Sequence, residues 1–458
     1  MSLVEPNKDF HIQELHLQNF KCFEDFTIQF PKRFTVLVGD NGSGKTTVLE
    51  GVLWGMLRRI ADFFVDKIDK KPSPQYNIPV GYVRLNIGDY GTLKKYIPQY
   101  PCKINCNSWV KTQEISWENE CRDLSKYHRP KILSRPNVLQ DMYLQMIGGE
   151  SNLPLIAYYK TNRLWDISPS KNEDLYNKAS RLSVYQTSLN ADATDKNLLS
   201  WFKRMALVEF QEKIEPPELA AVKKAVLSSL QSLSTDGKTK IYYSAREDDL
   251  LIDIGDGLEL PLRMLSDGYR NTLGMIADIA YRMAELNPHI TTDSPGIVLI
   301  DELDLHLHPK WQKHIVHDLK TIFPNLQFIT TTHSPFIIQS LEQGELVKLG
   351  DNDGITGEYS AQSIEDIAEN VQDVPNPQWS EKRKAMFEAA TKYYQALHKI
   401  NKSTSQKEIT LLKAELDRLS APYADNIAYY AFLQQERLMK EFELSSSQKN
   451  GNNNETNK

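Results

Sequence analysis

The sequence predicts an α/β fold built on a parallel sheet, and three observations carry that prediction. An apolar run, Phe34-Thr-Val-Leu-Val38, leads into Gly39-Asp-Asn-Gly-Ser-Gly-Lys-Thr-Thr47 and then into Val48-Leu-Glu-Gly-Val-Leu-Trp54. That order reads strand, glycine-rich loop, helix, and the loop matches the phosphate-binding pattern G-x-x-x-x-G-K-[ST]. A second run, Ile297-Val-Leu-Ile300, is apolar throughout and ends in Asp301-Glu302. A central parallel strand covered on both faces reads this way. A third strand, Leu326-Gln-Phe-Ile-Thr-Thr-Thr332, ends at His333-Ser-Pro335.

Composition bounds what surrounds this core. The chain has 458 residues, 40% hydrophobic and 25% charged, which is globular rather than disordered. Net charge is -6, from 54 basic and 60 acidic residues. That excludes a broadly basic nucleic-acid coat and leaves room only for a local basic stripe. No apolar run approaches the roughly 20 residues that span a bilayer, and the first residues lack a signal-peptide apolar region. A soluble cytoplasmic protein without a membrane partner is expected. Cys22, Cys102, Cys106 and Cys121 are too few for a disulfide scaffold. Cys102, Cys106, Cys121 and His128 match structural zinc spacings poorly, so reduced, partly buried thiols are expected.

Along the chain, Ile12–Leu17 and Phe26–Phe30 read as two strands joined through Asn19-Phe-Lys-Cys-Phe23. Short strands at Val83–Ile87, Lys103–Cys106 and Glu114–Trp117 predict an antiparallel β subdomain. Lys94, Lys95, Trp109 and Trp117 could make a basic-aromatic patch there, but packed aromatics on an ordinary sheet are the simpler reading. Leu153–Tyr159 reads as a strand running into Lys160-Thr-Asn-Arg163. A helical lobe over about 165–235 follows, with helices at Asn197–Val208 and Pro217–Leu230, the latter with proline in its first turn. Ile241–Tyr243 and Leu250–Ile254 look like hairpin strands, with Gly255-Asp-Gly257 as a turn. Leu265-Ser-Asp-Gly-Tyr-Arg270 opens a helix that aligns Leu273, Ile276, Ile279, Ala280 and Met283. The expected domains are 1–345 for the nucleotide-binding unit, 346–444 for a helical appendage, and 445–458 for a polar tail unable to bury anything. The appendage shows helical spacing from Met386 to Ile400, a capping box at Ser405 and Glu408, and a third helix from about Asp425 to Phe442.

The loop's chemistry follows from its residues. Glycines let the backbone N–H groups of Gly39, Asp40, Asn41, Gly42, Ser43 and Gly44 face one concavity, beside the positive end of a helix. Lys45 then reaches the β- and γ-phosphates, Thr46 offers a hydroxyl to Mg²⁺, and Thr47 continues the cradle. Asp301 and Glu302, at the end of a strand beside this loop, stand where metal and attacking water must be. An Asp351-Asn-Asp353 turn lacks the strand context of a TOPRIM nuclease, and no long heptad region is present.

The order of these motifs (P-loop, Leu265-Ser-Asp-Gly-Tyr269, Ile297–Glu302, His333) resembles the ABC ATPase superfamily in its non-transporter branch with RecF, the SMC proteins and OLD-type ATPases. The resemblance covers about residues 12–340 and implies an ABC-type head that hydrolyses ATP with Mg²⁺. It implies that Asp301 orders the metal's hydration shell, Glu302 polarises water and His333 contacts the γ-phosphate. It also implies that Ser266 and Gly268 touch ATP held by the opposite copy in a head-to-tail homodimer or higher oligomer, with Asp304 at the seam. Lys21 resembles the basic residue of an N-terminal Asn-Phe-Arg that reaches the nucleotide, and Arg163 holds the place where a glutamine is usual.

Within that branch the strings Tyr158–Arg163, Leu265–Arg270 and Asp301–Trp311 resemble PtuA-type ATPases of the Septu and retron-associated anti-phage systems. This likeness implies a regulatory ATPase that restrains a separate HNH-type nuclease, sometimes beside a retron reverse transcriptase and its nucleic acid. The alternative is a RecF-like ATPase that closes over DNA in repair or recombination, with the strands of residues 80–120 facing the duplex.

Overall fold

The computed structural model describes residues 10–69, 78–90, 93–110, 113–123, 131–133, 137–147, 152–161, 181–189, 194–230, 239–253, 259–289, 291–350, 359–375, 377, 379–398 and 406–421. These fall into two compact units, Met1–Gln372 and Asp373–Lys458.

In the first unit the chain opens with β1 (Phe10–Phe20), β2 (Phe23–Gln29) and β3 (Phe34–Val38). Helix α1 (Lys45–Val52) follows and passes through a π turn, Leu53–Leu57, into α2 (Arg58–Asp69). Then come β4 (Leu85–Tyr90), β5 (Leu93–Pro98), β6 (Cys102–Val110), β7 (Gln113–Cys121) and β8 (Lys131–Ile132). Helix α3 (Val138–Ile147) and strand β9 (Leu155–Tyr159) lead to the helical lobe of α4 (Val184–Thr187), α5 (Thr194–Glu212) and α6 (Pro217–Leu230). A small sheet of β10 (Lys240–Ser244), β11 (Asp249–Asp253) and β12 (Glu259–Pro261) precedes the long α7 (Asp267–Leu286). The unit closes with β13 (Gly296–Ile300), α8 (Pro309–Gln312), α9 (Ile315–Ile322), β14 (Leu326–Thr331), α10 (Pro335–Gln339), β15 (Leu346–Lys348) and α11 (Ile364–Asn370).

Two five-stranded sheets organise this unit. One, in the order β15-β3-β14-β13-β9, is parallel throughout. Every residue of β3, β9, β13 and β14 is buried, which explains their unbroken apolar sequences. The other, β2-β1-β6-β7-β8, is antiparallel. In β6 buried and half-buried residues alternate strictly, so Cys102, Ile104, Cys106, Ser108 and Val110 point inward. Asn119 of β7 donates to the Trp54 carbonyl at 2.9 Å, tying this sheet to the π turn after the P-loop helix.

Several expectations change here. The core runs past the boundary expected at 345, because Leu346–Lys348 pairs parallel with β3. Three residues are too few to show a strand period in the sequence. The β10–β11 hairpin turns at 245–248. The expected turn at Gly255–Gly257 lies outside the described residues, as do Ser405 and the third appendage helix. Trp117 is 2% exposed and donates to Ser108 Oγ at 2.7 Å. It faces the core while Trp109 pairs opposite Glu114, and Lys94 and Lys95 sit on the separate β4–β5 hairpin, so no basic-aromatic patch assembles.

The second unit contains α12 (Glu381–His398) and α13 (Gln406–Ser420), which bury Met386, Ala389, Tyr393 and Leu416 together. Among the described residues no helix is long and apolar enough to cross a membrane.

Candidate nucleotide-binding site

Parallel strands place their C-terminal ends along one edge of a sheet, and loops leaving that edge meet. Here β3 ends in the glycine-rich loop, β13 in Asp301-Glu302, and β14 in Thr331-Thr-His333. Gly39, Gly42 and Gly44 adopt φ of 147°, 86° and 100°, which L side chains rarely tolerate, so the loop can curl its amides inward. Lys45 turns back over the loop and donates to the carbonyls of Gly39 at 2.7 Å and Asp40 at 2.9 Å. Burial lowers its pKa, and the carboxylates of Asp301, Asp40 and Glu302 pull against that shift.

Thr46 Oγ1 donates to Asp301 Oδ2 at 2.9 Å. Asp301 is 5% exposed, and its other oxygen accepts from Thr331 Oγ1 at 2.7 Å. The same Thr331 hydroxyl accepts the Glu302 N–H at 2.7 Å. One threonine therefore holds the Asp301 carboxylate and the Glu302 backbone together. Glu302 takes a left-handed φ of 51°, which turns the chain sharply out of β13. Asp304 Oδ1 accepts from Thr332 Oγ1 at 2.5 Å and from the His333 N–H at 3.2 Å, so the loop after the acids is bolted to the end of β14. The His333 residue is exposed at this edge, and Ser334 caps α10 behind it.

The donor set fits a hard divalent cation, because a threonine hydroxyl and a carboxylate are both oxygen ligands 2.9 Å apart at the phosphate loop. The buried Ser43 Oγ carries no hydrogen-bond partner within the chain, as an anion-facing hydroxyl would not.

Other expected residues fall at different distances from this cluster. Asn41 and Thr47 lie in the loop and the first turn of α1, and Thr47 Oγ1 is 3.8 Å from Cys22 Sγ. Lys21, in the β1–β2 turn, pairs with Glu50 of α1 and lies 4.1 Å from the Tyr82 ring centre. Ser266 is the exposed N-cap of α7. Gly268 packs on the His306 carbonyl, which would be 2.6 Å from a side-chain carbon there. Gly268 thus lies against the 306–308 loop rather than against Gly39–Thr47. Arg163 lies outside the described residues. His308 Nδ1 accepts from the Lys310 N–H at 3.2 Å, a helix-capping role.

Among the described residues no group of three or more His, Cys, Asp or Glu side chains gathers as a thiolate- or imidazole-rich zinc site would need. Cys102 and Cys121 face each other across β6 and β7. Burial pushes the Cys102 thiol up to about 12 and raises Cys106 further. Thr331 and Glu50 were not among the expected site residues. The signal for Thr331 was a run of three threonines ending a buried apolar strand, and Glu50 carries no such signal.

The AAA-domain family profile matches residues 14–234, and a second AAA-domain profile matches 152–339. The "Retron Ec83 probable ATPase" of Escherichia coli is 27% identical over 446 residues, covering 81% of this chain and 78% of that protein. The Septu protein PtuA of Bacillus thuringiensis is 25% identical, covering 85% of this chain and 90% of that one. A solved SMC head bound to the C-terminal winged-helix domain of ScpA superimposes with a TM-score of 0.47 at 15% identity, covering 75% of this chain and 96% of that one.

Proposed function

We propose that this P-loop ATPase, with its ABC-type head, is the nucleotide-gated subunit of a bacterial anti-phage defence system. In this reading two or more copies pair around ATP in the cytoplasm and thereby control a separate nuclease of the HNH type, in some settings beside a retron reverse transcriptase and its nucleic acid. The observation that supports the chemistry best is the Thr46–Asp301–Thr331–Glu302 chain of contacts at the end of the parallel sheet. Similarity to retron and Septu proteins supports the biological role.

The residues take the following parts. The loop amides of Gly39–Gly44 and the Lys45 ammonium bind the β- and γ-phosphates. Thr46 and Asp301 hold Mg²⁺, which when bound neutralises phosphate charge. Glu302 accepts a hydrogen bond from the attacking water, a general-base role that contributes typically about 10²–10⁴-fold. His333 steadies the γ-phosphate from the end of β14, and Lys21 adds a cation from the β1–β2 turn. Ser266 and Gly268 serve the nucleotide of the opposite copy, in keeping with an exposed Ser266 at the start of α7. Arg163 follows β9 in sequence and stays a proposed contact.

The RecF-like alternative needs a basic surface. By register, the outward row of the antiparallel sheet carries Glu14, Asp25, Glu114, Glu118 and Glu120 against Lys103 and Lys131. Such a face repels a duplex. The test is to express the tagged chain with its neighbouring genes and identify what co-elutes, alongside phage challenge of Lys45→Ala. A co-eluting nuclease, and lost protection at unchanged growth, are expected. Recovery of the chain with chromosomal DNA alone, or full protection by Lys45→Ala, would overturn the proposal.

A further inference from the structure

A charged group sits in the interior of the head, away from the phosphate loop. Arg282 and Asp278 of α7 are 1% and 0% exposed. Arg282 Nε donates to Asp278 Oδ2 at 2.6 Å, and the Tyr159 hydroxyl donates to the same oxygen at 2.6 Å. Arg282 Nη1 reaches Thr187 Oγ1 at 2.9 Å and the Val184 carbonyl at 3.3 Å. Three elements meet here: the helix that begins at Ser266, the last residue of β9, and α4 of the helical lobe. Burial pushes the Asp278 carboxyl up, while the Arg282 guanidinium and the Tyr159 hydroxyl pull it back.

A buried ion pair is a poor way to stabilise a fold, since apolar residues of similar volume often do as well or better. Its strength is directional. Tyr159 is buried beside the metal-site strand, and its carbonyl accepts the Asp301 N–H at 2.8 Å. One residue thus joins Asp301 through its backbone and α7 through its ring. The N-terminus of α7, at Ser266, lies about 18 Å along the helix from Asp278 at the usual rise per residue. A helix moves as a rigid rod over that length. Asp278 Oδ1 and Arg282 Nη2 are buried with no hydrogen-bond partner. The network therefore holds a spare acceptor and a spare donor, and can re-pair when α7 shifts against β9 without exposing a bare charge.

We infer that Tyr159, Asp278 and Arg282 are positioning residues that transmit the state of the Asp301 metal site to the Ser266 end of α7. This rests on the reading that Ser266 serves the ATP of an opposite copy. In turnover, losing the link should lower kcat and leave ATP binding at the phosphate loop alone.

The experiment is steady-state ATP hydrolysis by the full chain as Tyr159→Phe, Ser266→Ala and the double variant, with thermal melts of each. Tyr159→Phe should lower kcat by about tenfold with KM for ATP within twofold. The double variant should be no slower than the slower single variant, because both changes break one line of action. A wild-type kcat for Tyr159→Phe, with Ser266→Ala slow, overturns the inference and spares the opposite-copy reading. Losses that multiply in the double variant also overturn it, since Tyr159 would then act independently of Ser266. A wild-type kcat for Ser266→Ala removes the opposite-copy reading itself. If Tyr159→Phe fails to fold, Asp278→Asn, which keeps the shape and one acceptor, takes its place under the same criteria.

Discussion

The two five-stranded sheets share a unit and a core, and both are rich in β-branched and aromatic residues, yet only one collects chemistry. In the parallel sheet the ends of β3, β13 and β14 point the same way, and Thr46, Asp301, Thr331 and Glu302 are linked by successive hydrogen bonds. In the antiparallel sheet neighbouring strands end at opposite edges. Its polar residues spread along an outward face in short cross-strand contacts, such as His16 with Asp25 at 3.1 Å and Asn107 with Glu14 at 3.2 Å. Strand direction, rather than strand composition, decides which sheet can assemble a site.

Four substitutions break or sharpen this contrast. Glu302→Gln keeps shape and hydrogen bonding but removes the base. It should slow hydrolysis by about 10²–10⁴-fold while ATP still binds, and ATP should shift the variant to a dimer in light scattering. Full hydrolysis would remove Glu302 from its assigned role. Thr331→Val deletes the one hydroxyl shared by Asp301 and the Glu302 amide. Turnover should fall about tenfold, with about 1–3 kcal/mol lost from stability because both groups stay buried or half-buried; phosphate release and denaturant melts read the two effects. Trp117→Phe, in the antiparallel sheet, loses the bond to Ser108. It should destabilise by about 1–2 kcal/mol and leave turnover per folded molecule unchanged; a tenfold slower enzyme would erase the distinction between the sheets.

The smallest effect is a pH dependence on α9, the crossover helix between β13 and β14. Burial pushes the Asp318 carboxyl up to about 6, against the pull of His314 and His317. Its folded value lies above the ordinary 3.8. The group therefore favours the folded chain below about pH 4, and that contribution is lost as pH rises through about 6. Asp318→Asn should flatten the difference curve across that window in melts taken from pH 4 to 7. An unchanged curve would show that Asp318 titrates normally.

Much of the parallel sheet was legible because its strands are short, wholly buried and end in polar residues. Phe34–Val38, Ile297–Ile300 and Leu326–Thr332 each announced both strand and terminus. The acids and the lysine followed, since their chemistry is tied to those ends. Leu346–Lys348 escaped because it is three residues long and becomes a strand only by pairing with β3. Thr331 escaped as an individual because its role depends on two partners some thirty positions away, a relation that periodicity does not encode. The Tyr159–Asp278–Arg282 group escaped for the same reason: Asp278 and Arg282, one turn apart, read as an ordinary surface ion pair on a helix. Only the depth of α7 in the core makes them unusual. Lys21 was expected at the nucleotide from resemblance, and its pairing with Glu50 was not visible before the β1–β2 turn was placed against α1.

The backbone at Glu302 has an evolutionary consequence. With φ at 51°, a residue carrying a β-carbon is held in a conformation that disfavours it by about 1–3 kcal/mol. Glycine would sit there without strain. Drift under selection for folding alone would move this position toward glycine and yield a sturdier, silent protein. A lineage that retains glutamate at such a turn is one in which hydrolysis has remained under selection, and loss of that selection should show first as glycine, asparagine or aspartate at this one site.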